Sequence, residues 1–170
     1  NPENKNWVEI WNDVLMQYNK DEKENYNLAN QKNIDTGMGV ERTTAILNGF
    51  EDDYLSDSFK PIIERIESLS KKQYKNNEKS MRVIADHIKA SVFIIADGIV
   101  PSNTERDYVL RRLIRRVIRY GRELGINSFT PKIAEPVFKI YDDYKNIQKN
   151  KKLILNKLEK GETKFNETIE

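Results

Sequence analysis

Residues 35–47 read DTGMGVERTTAIL, and a change of pattern inside this stretch decides the fold class. Near Ile34 the residues suit a short extended strand. After Gly39, Val40, Thr44 and Leu47 fall on one helical face, and Gly49 follows as a stop. The chain has only seven glycines, and two of them, Gly37 and Gly39, stand one residue apart at this switch. A dinucleotide-binding fingerprint is excluded because a third glycine and a following acid are missing, and no Gly-Lys-Ser/Thr phosphate loop occurs.

Two readings of the glycines remain open. In one, they supply backbone conformations closed to other residues in a tight strand-to-helix turn. In the other, their missing side chains leave a floor for a flat ligand, with Asp35 at one end to suit an ammonium group and Arg42 at the other to suit a phosphate. Such a floor would take an amino acid and a nucleotide together.

Working outward, residues 7–18 are rich in aromatic and β-branched types and read as a strand. Val8, Ile10, Asn12, Val14, Met16 and Tyr18 would share one face, with Trp7, Glu9, Trp11, Asp13, Leu15 and Gln17 on the other. Trp7 and Trp11 read as sheet-packing residues. The polar run NKDEKENYNLANQKN, residues 19–33, reads as a solvated loop or hairpin.

From about residue 55 every pattern is helical. Asp57 or Ser58 is placed to cap a helix with Pro61 in its first turn and a stripe of Ile62, Ile63, Ile66 and Leu69. Ser80 would cap a long helix with Val83, Ile84, Ile88, Val92 and Ile95 inward and Gly98 as its stop. A basic helix runs from about Tyr108 to Leu124, Thr130 and Pro131 open another, and a last helix carries Ile154, Leu158, Phe165 and Ile169. That last helix reads as scaffold. It has no stop signal and the first strand has little lead-in, so the chain is expected to be a piece of a longer protein.

Composition bounds the chemistry. There are no cysteines and one histidine, so a disulfide framework and a thiolate zinc site are both excluded. His87 reads as a packing or hydrogen-bonding residue. The longest apolar stretch, SVFIIADGIV, is interrupted by Asp97 and Gly98, which is too short for a membrane span; a cytoplasmic location is the default expectation.

The net charge of +2 conceals an asymmetry. Residues 1–80 carry 11 Lys and Arg against 15 Asp and Glu, whereas residues 81–170 carry 18 against 12. In VLRRLIRRVIRYGR, residues 109–122, pairs of apolar residues alternate with pairs of arginines, and at about 100° per residue they separate onto opposite faces. Leu110, Leu113, Ile114, Val117 and Ile118 make the buried stripe. Arg111, Arg112, Arg115, Arg116, Arg119 and Arg122 fan over the other side, flanked in sequence only by the acids Asp107 and Glu123. Either these arginines pair with acids elsewhere in the fold, or they face the phosphates of RNA or DNA, for which the planar guanidinium is better suited than lysine.

DTGMGVER resembles the third signature motif of class II aminoacyl-tRNA synthetases, in the form found in the alanyl-tRNA synthetases. EIWNDVLMQYN, RVIADHIKASVFIIADGIVPSN and YVLRRLIRRVIRYG are similar to that family too, in the same order and at similar separations. The resemblance implies an α+β fold: residues 1–50 as the end of the catalytic domain, with a short antiparallel sheet remnant, and residues 51–170 as a truncated helical tRNA-recognition domain. It implies alanine activation by ATP, magnesium accompanying the nucleotide, and transfer of alanine to the 3′ end of tRNA.

Carried over residue by residue, the resemblance puts Asp35 on the amino group of alanine, with Gly37, Asn12 and Val14 lining that pocket. Gly39 and Arg42 fall on ATP, with Arg42 on its phosphates and so the catalytic residue. Asn103 falls on the base pair that marks the tRNA, and Arg111, Arg112, Arg115, Arg116 and Arg119 on the backbone of the acceptor stem. The family's first two motifs are missing from these residues, and its zinc-bearing domain lies beyond residue 170, so the chain alone is expected to be inactive. The chain departs from the family at PSNTERDY, where Glu105 and Asp107 replace glycines; there SNTE can instead form a capping box that starts the basic helix early. A free-standing helical RNA-binding module without catalysis, or a scaffold with internally paired charges, are the competing readings.

Overall fold

The computed structural model describes residues 7–102 and 105–169. It divides into two compact units, residues 1–56 and 57–170. The first holds an antiparallel pair, β1 (Trp11–Lys20) and β2 (Tyr26–Met38), then α1 (Val40–Leu47) and a 3-10 turn at Asp53–Leu55. The second is helical: α2 (Lys60–Ser70), α3 (Glu78–Ala96), α4 (Glu105–Leu124), α5 (Thr130–Ile140), α6 (Lys145–Lys149) and α7 (Lys151–Ile169). The α+β class holds. No described helix is long and apolar enough to cross a membrane.

Of the two readings of the polar run the hairpin holds: most of the run is strand, and only residues 21–25 turn the chain. Backbone ladders do not require apolar side chains, and one acid closes this turn. Asp21 Oδ1 accepts from the backbone N–H groups of Lys23 and Asn25, both at 2.9 Å, and Oδ2 accepts from the Asn25 and Asn27 side-chain amides. These donors, the Asn25 backbone N–H first, hold the Asp21 carboxyl below its ordinary value of 3.8. The pairing slips between Met16, opposite Asn33, and Tyr18, opposite Leu28, so Gln17 alone faces residues 29–32. In α1, which packs against the 3-10 turn, Val40 and Leu47 of the expected stripe are exposed and Ala45 is the buried residue.

The core of the second unit is built on α3, which packs against α2, α4, α5, α6 and α7. Ile84, Ile88, Val92, Leu110, Val117, Ile133, Ile154 and Leu158 are fully enclosed. The stripes follow the expected periodicity, with Leu69, Val83 and Leu113 only half-buried. Caps are where local reading fails. Phe59 and Asn77 are the N-cap residues of α2 and α3, neither making a side-chain cap bond, in place of Asp57 or Ser58 and of Ser80.

Several helix ends are closed by residues far away in sequence. Helix α6 shows no signal in sequence, yet it serves two C-termini: Asn146 and Asn150 donate to the Ala96 carbonyl at the end of α3, and Gln148 donates to the carbonyls of Phe138 and Tyr141 at the end of α5. Pro136 inside α5 cannot donate to the Lys132 carbonyl, and Arg65 Nε of α2 donates to that oxygen instead, at 3.2 Å.

Glu162 of α7, only 3% exposed, caps the start of α5. Its carboxylate accepts from the N–H of Phe129 and from the N–H and hydroxyl of Thr130, at 3.1, 2.9 and 2.8 Å. Beside it, the tip of the Phe129 ring abuts Gly121 of α4, where a Cβ would collide with the ring's outer carbons.

Three outcomes are expected. Gly121→Ala should lower stability in urea by about 1–3 kcal/mol through overpacking, despite the roughly 1 kcal/mol by which alanine favours a helix; a variant as stable as the parent would contradict the contact. Glu162→Ala should cost at least about 2 kcal/mol, since buried donors lose a charged partner, and an unfolding midpoint that does not move would refute the cap. For Asp21, the folded pKa lies below the unfolded one, so its stabilisation is complete above the unfolded value and is lost as pH falls through the folded one. The Lys23 and Asn25 amide resonances should therefore titrate with a midpoint below 3.8, and a midpoint above that value would exclude the turn as described.

Candidate functional site

Cross-strand partners in an antiparallel pair project to the same side of the sheet. Val14 is opposite Asp35 and Asn12 is opposite Gly37, so the register brings these four residues onto one face at one end of the hairpin. Alternation in β1 by itself says only that Asn12 and Val14 share a face; the pairing adds which residues of β2 join them. Trp11, Leu15, Ile34 and Met38 occupy the reverse face, where Leu15 is 77% and Ile34 69% exposed.

The backbone argues against the turn reading of the glycines. Gly39 sits at φ −77° and ψ 106°, open to any residue, and Gly37 is not among the glycines with positive φ, which are Gly49, Gly98 and Gly125. Packing within the chain does not require them either: a Cβ on Gly37 would meet nothing within 4 Å, and one on Gly39 would make an ordinary 3.4 Å contact with Arg42 Cβ. What their missing side chains provide is a bare strip beside Asn12, running to the start of α1.

At the far end of that strip α1 is tied to the segment before β1. Gly39 N–H and the Thr43 hydroxyl donate to the Ile10 carbonyl, at 3.3 and 3.4 Å. Arg42 Nη1 donates to the Glu9 carbonyl at 2.5 Å, which anchors the guanidinium through a neutral acceptor and leaves its positive charge uncancelled. Asp35 Oδ1 accepts from the adjacent Thr36 N–H at 3.0 Å, and its side chain is exposed. The face therefore carries an accessible carboxylate on β2, and an accessible cation follows at the first turn of α1.

The second surface is α4, which begins at Glu105, earlier than the expected Tyr108. Leu110, Ile114, Val117 and Ile118 are buried, while Arg112, Arg115, Arg116, Arg119 and Arg122 are exposed and Arg111 is half-buried. These arginines, with Tyr108, Glu123 and Phe165, line an open groove of about 910 Å³. Arg119 Nε lies 3.7 Å from Glu123 Oε1, and Arg122 Nη2 donates to Asn166 Oδ1 at 2.9 Å. Arg112, Arg115 and Arg116 have no carboxylate partner among the described residues. Uncompensated cations along one helical face raise the local potential and draw in a polyanion. The scaffold reading, with every guanidinium held by an acid, does not describe this surface.

Other sequence expectations fall outside these surfaces. Asn103 lies outside the described residues. His87 Nδ1 is 2.7 Å from Asp86 Oδ2, a local hydrogen bond. No group of three or more His, Cys, Asp or Glu among the described residues could hold a metal. Sequence reading missed Phe165 and Asn166, which approach the arginines from α7; Phe165 stood in the last helix's apolar stripe, and only packing shows what it meets.

Comparison with known proteins agrees with the motif series. The family model for tRNA synthetases class II (A) matches residues 1–170. The chain is 46% identical over 170 residues to the alanine–tRNA ligase of Borrelia hermsii (strain HS1 / DAH), covering 96% of this chain and 29% of that protein. Against the alanine–tRNA ligase of Borreliella afzelii (strain PKo) it is 48% identical at the same two coverages, and against that of Clostridioides difficile (strain 630) 42% identical, covering 96% of this chain and 19% of that protein. The chain thus spans less than a third of the length of these curated relatives. With the whole chain matched from the hairpin to α7, it belongs to the class II (A) tRNA synthetases.

Proposed function

We propose that this chain is the part of an alanine–tRNA ligase in which the end of the catalytic domain, residues 1–50, is followed by the start of a tRNA-recognition domain, residues 51–170. The reaction of the whole protein joins alanine to ATP: a carboxylate oxygen of alanine attacks the α-phosphorus, pyrophosphate leaves, and the adenylate passes alanine to the 3′ end of the tRNA. The observation that carries this reading is the register, which puts Asp35 beside Val14 and the bare Gly37 beside Asn12 on one face. Asp35 holds the substrate ammonium, and Asn12 and Val14 bound the space for a small side chain. Gly39 lets the nucleotide approach the backbone, and Arg42 stabilises the charge that develops as pyrophosphate departs.

Magnesium enters with ATP as co-substrate, and no described residue is assigned to it; the family's zinc belongs to a part of the protein beyond residue 170. On the helical side, Arg111, Arg112, Arg115, Arg116 and Arg119 bind the phosphate backbone of the acceptor stem, and Asn103 reads its base edges by the family resemblance. The site of action is the cytoplasm, where alanine, ATP and tRNA meet.

The test is pyrophosphate exchange by the full-length protein. Arg42→Ala should lower the rate by about 10²-fold or more, the scale of removing one preorganised charge-stabilising donor, and the 170-residue chain alone should show none. Exchange that survives Arg42→Ala unchanged would favour a non-catalytic RNA-binding module, and robust exchange by the 170 residues would refute the partial-pocket assignment.

A further inference from the structure

Helix α7 reads as scaffold in sequence, yet its Phe165 lies under two of the arginines of α4. The Cζ atoms of Arg115 and Arg122 are 4.7 and 5.9 Å from its ring centroid, on turns of α4 about 10 Å apart. Ile154 and Leu158, earlier on the same stripe, are fully enclosed, whereas Phe165, further along it, is 9% exposed and lines the groove. Close approach of the two helices is secured one turn earlier at Gly161, where a Cβ would come within 3.2 Å of Ile114 Cγ2. A second, smaller cavity of about 70 Å³ continues the surface past Arg111 and Arg115 to Lys164.

We infer that Phe165 is a positioning residue for RNA, holding the guanidiniums of Arg115 and Arg122 in place for the phosphate backbone of a duplex; the inference rests on the acceptor-stem reading above. The chemistry favours a ring over an acid here. A carboxylate would take up the in-plane N–H fork and cancel the charge. A ring contacts the π face of the cation, restricts its rotamers before RNA arrives, and leaves the N–H groups directed outward with full charge. Asn166 adds a neutral acceptor for Arg122 to the same effect.

Binding of the 170-residue chain to a short A-form RNA hairpin, measured over a series of salt concentrations, separates the possibilities. Phe165→Leu should weaken binding by about three- to tenfold, the effect of losing one or two cation–π contacts, with the salt slope unchanged because no charge is removed. Phe165→Tyr should bind like the parent. In an Arg115→Ala/Arg122→Ala background, where the slope itself falls by about one to two units, Phe165→Leu should add nothing. Unaltered affinity of Phe165→Leu, or an equal loss in the double-alanine background, would overturn the inference while leaving the RNA reading intact. Weak binding by the parent, indifferent to salt, would instead remove the RNA reading. Should Phe165→Leu fail to fold, the RNA-free parent still decides: the Nε–Hε signals of Arg115 and Arg122 should be ring-current shifted and restricted in motion, and freely averaged signals would defeat the proposal.

Discussion

Glu162 is an acid removed almost wholly from water, and a carboxylate so placed is tolerated only if donors surround it. The first turn of α5 provides them, through the N–H groups of Phe129 and Thr130 and the Thr130 hydroxyl. Sliding α7 by one turn would strand the carboxylate, so this contact sets the register of α7 against α5. Phe129, held by the same carboxylate, sits on Gly121 of α4, and Gly161, next to Glu162, meets Ile114 of α4. Three helices are thereby keyed to one another around a single anion. The place of Phe165 beneath Arg115 and Arg122 follows from that keying, so a cationic surface on one side depends on an acid buried behind it.

The two units meet opposite physical demands. The helical unit closes its core and satisfies exposed helix ends with distant side chains, as α6 does for α3 and α5. The hairpin has almost no core: its ladder satisfies the backbone, Asp21 closes the turn, and both faces carry exposed apolar side chains. A two-stranded ribbon of that kind is marginal alone, and exposed apolar faces of this extent belong against further structure or a ligand. That agrees with a chain spanning less than a third of its relatives' length. The same openness keeps Asp35 and the bare strip at Gly37 accessible.

Legibility in the sequence varied with the range of the forces involved. Helices α3 and α4 were clear because burying an apolar stripe needs only a 3.6-residue rhythm, and Ile84, Ile88, Leu110 and Ile114 keep it. For residues 19–33 the sequence leaves loop and hairpin open, because they are polar and their strand character comes from pairing, not from burial. Ser80 suits a cap, whereas α3 begins earlier, at Glu78, with Asn77 as an N-cap residue that makes no side-chain cap bond. KNIQK showed no helical signal; its polar side chains answer carbonyls on two other helices. Nothing in the local sequence marks Glu162 as buried, because its partners Phe129 and Thr130 lie over thirty residues away.

The order of residues alone was enough for the family, the α+β class, the strand-to-helix switch at DTGMGVER and the charge asymmetry, because each is a pattern written along one dimension. Folding in three dimensions had to choose the partner of each β1 residue across the hairpin and the role of Gly37 and Gly39, which are at ordinary φ and uncrowded. It also chose which arginines lack an acid and which of them rest on Phe165. Those outcomes depend on register and close packing between residues far apart in the chain, and no local propensity encodes a contact whose energy exists only once both partners are in place.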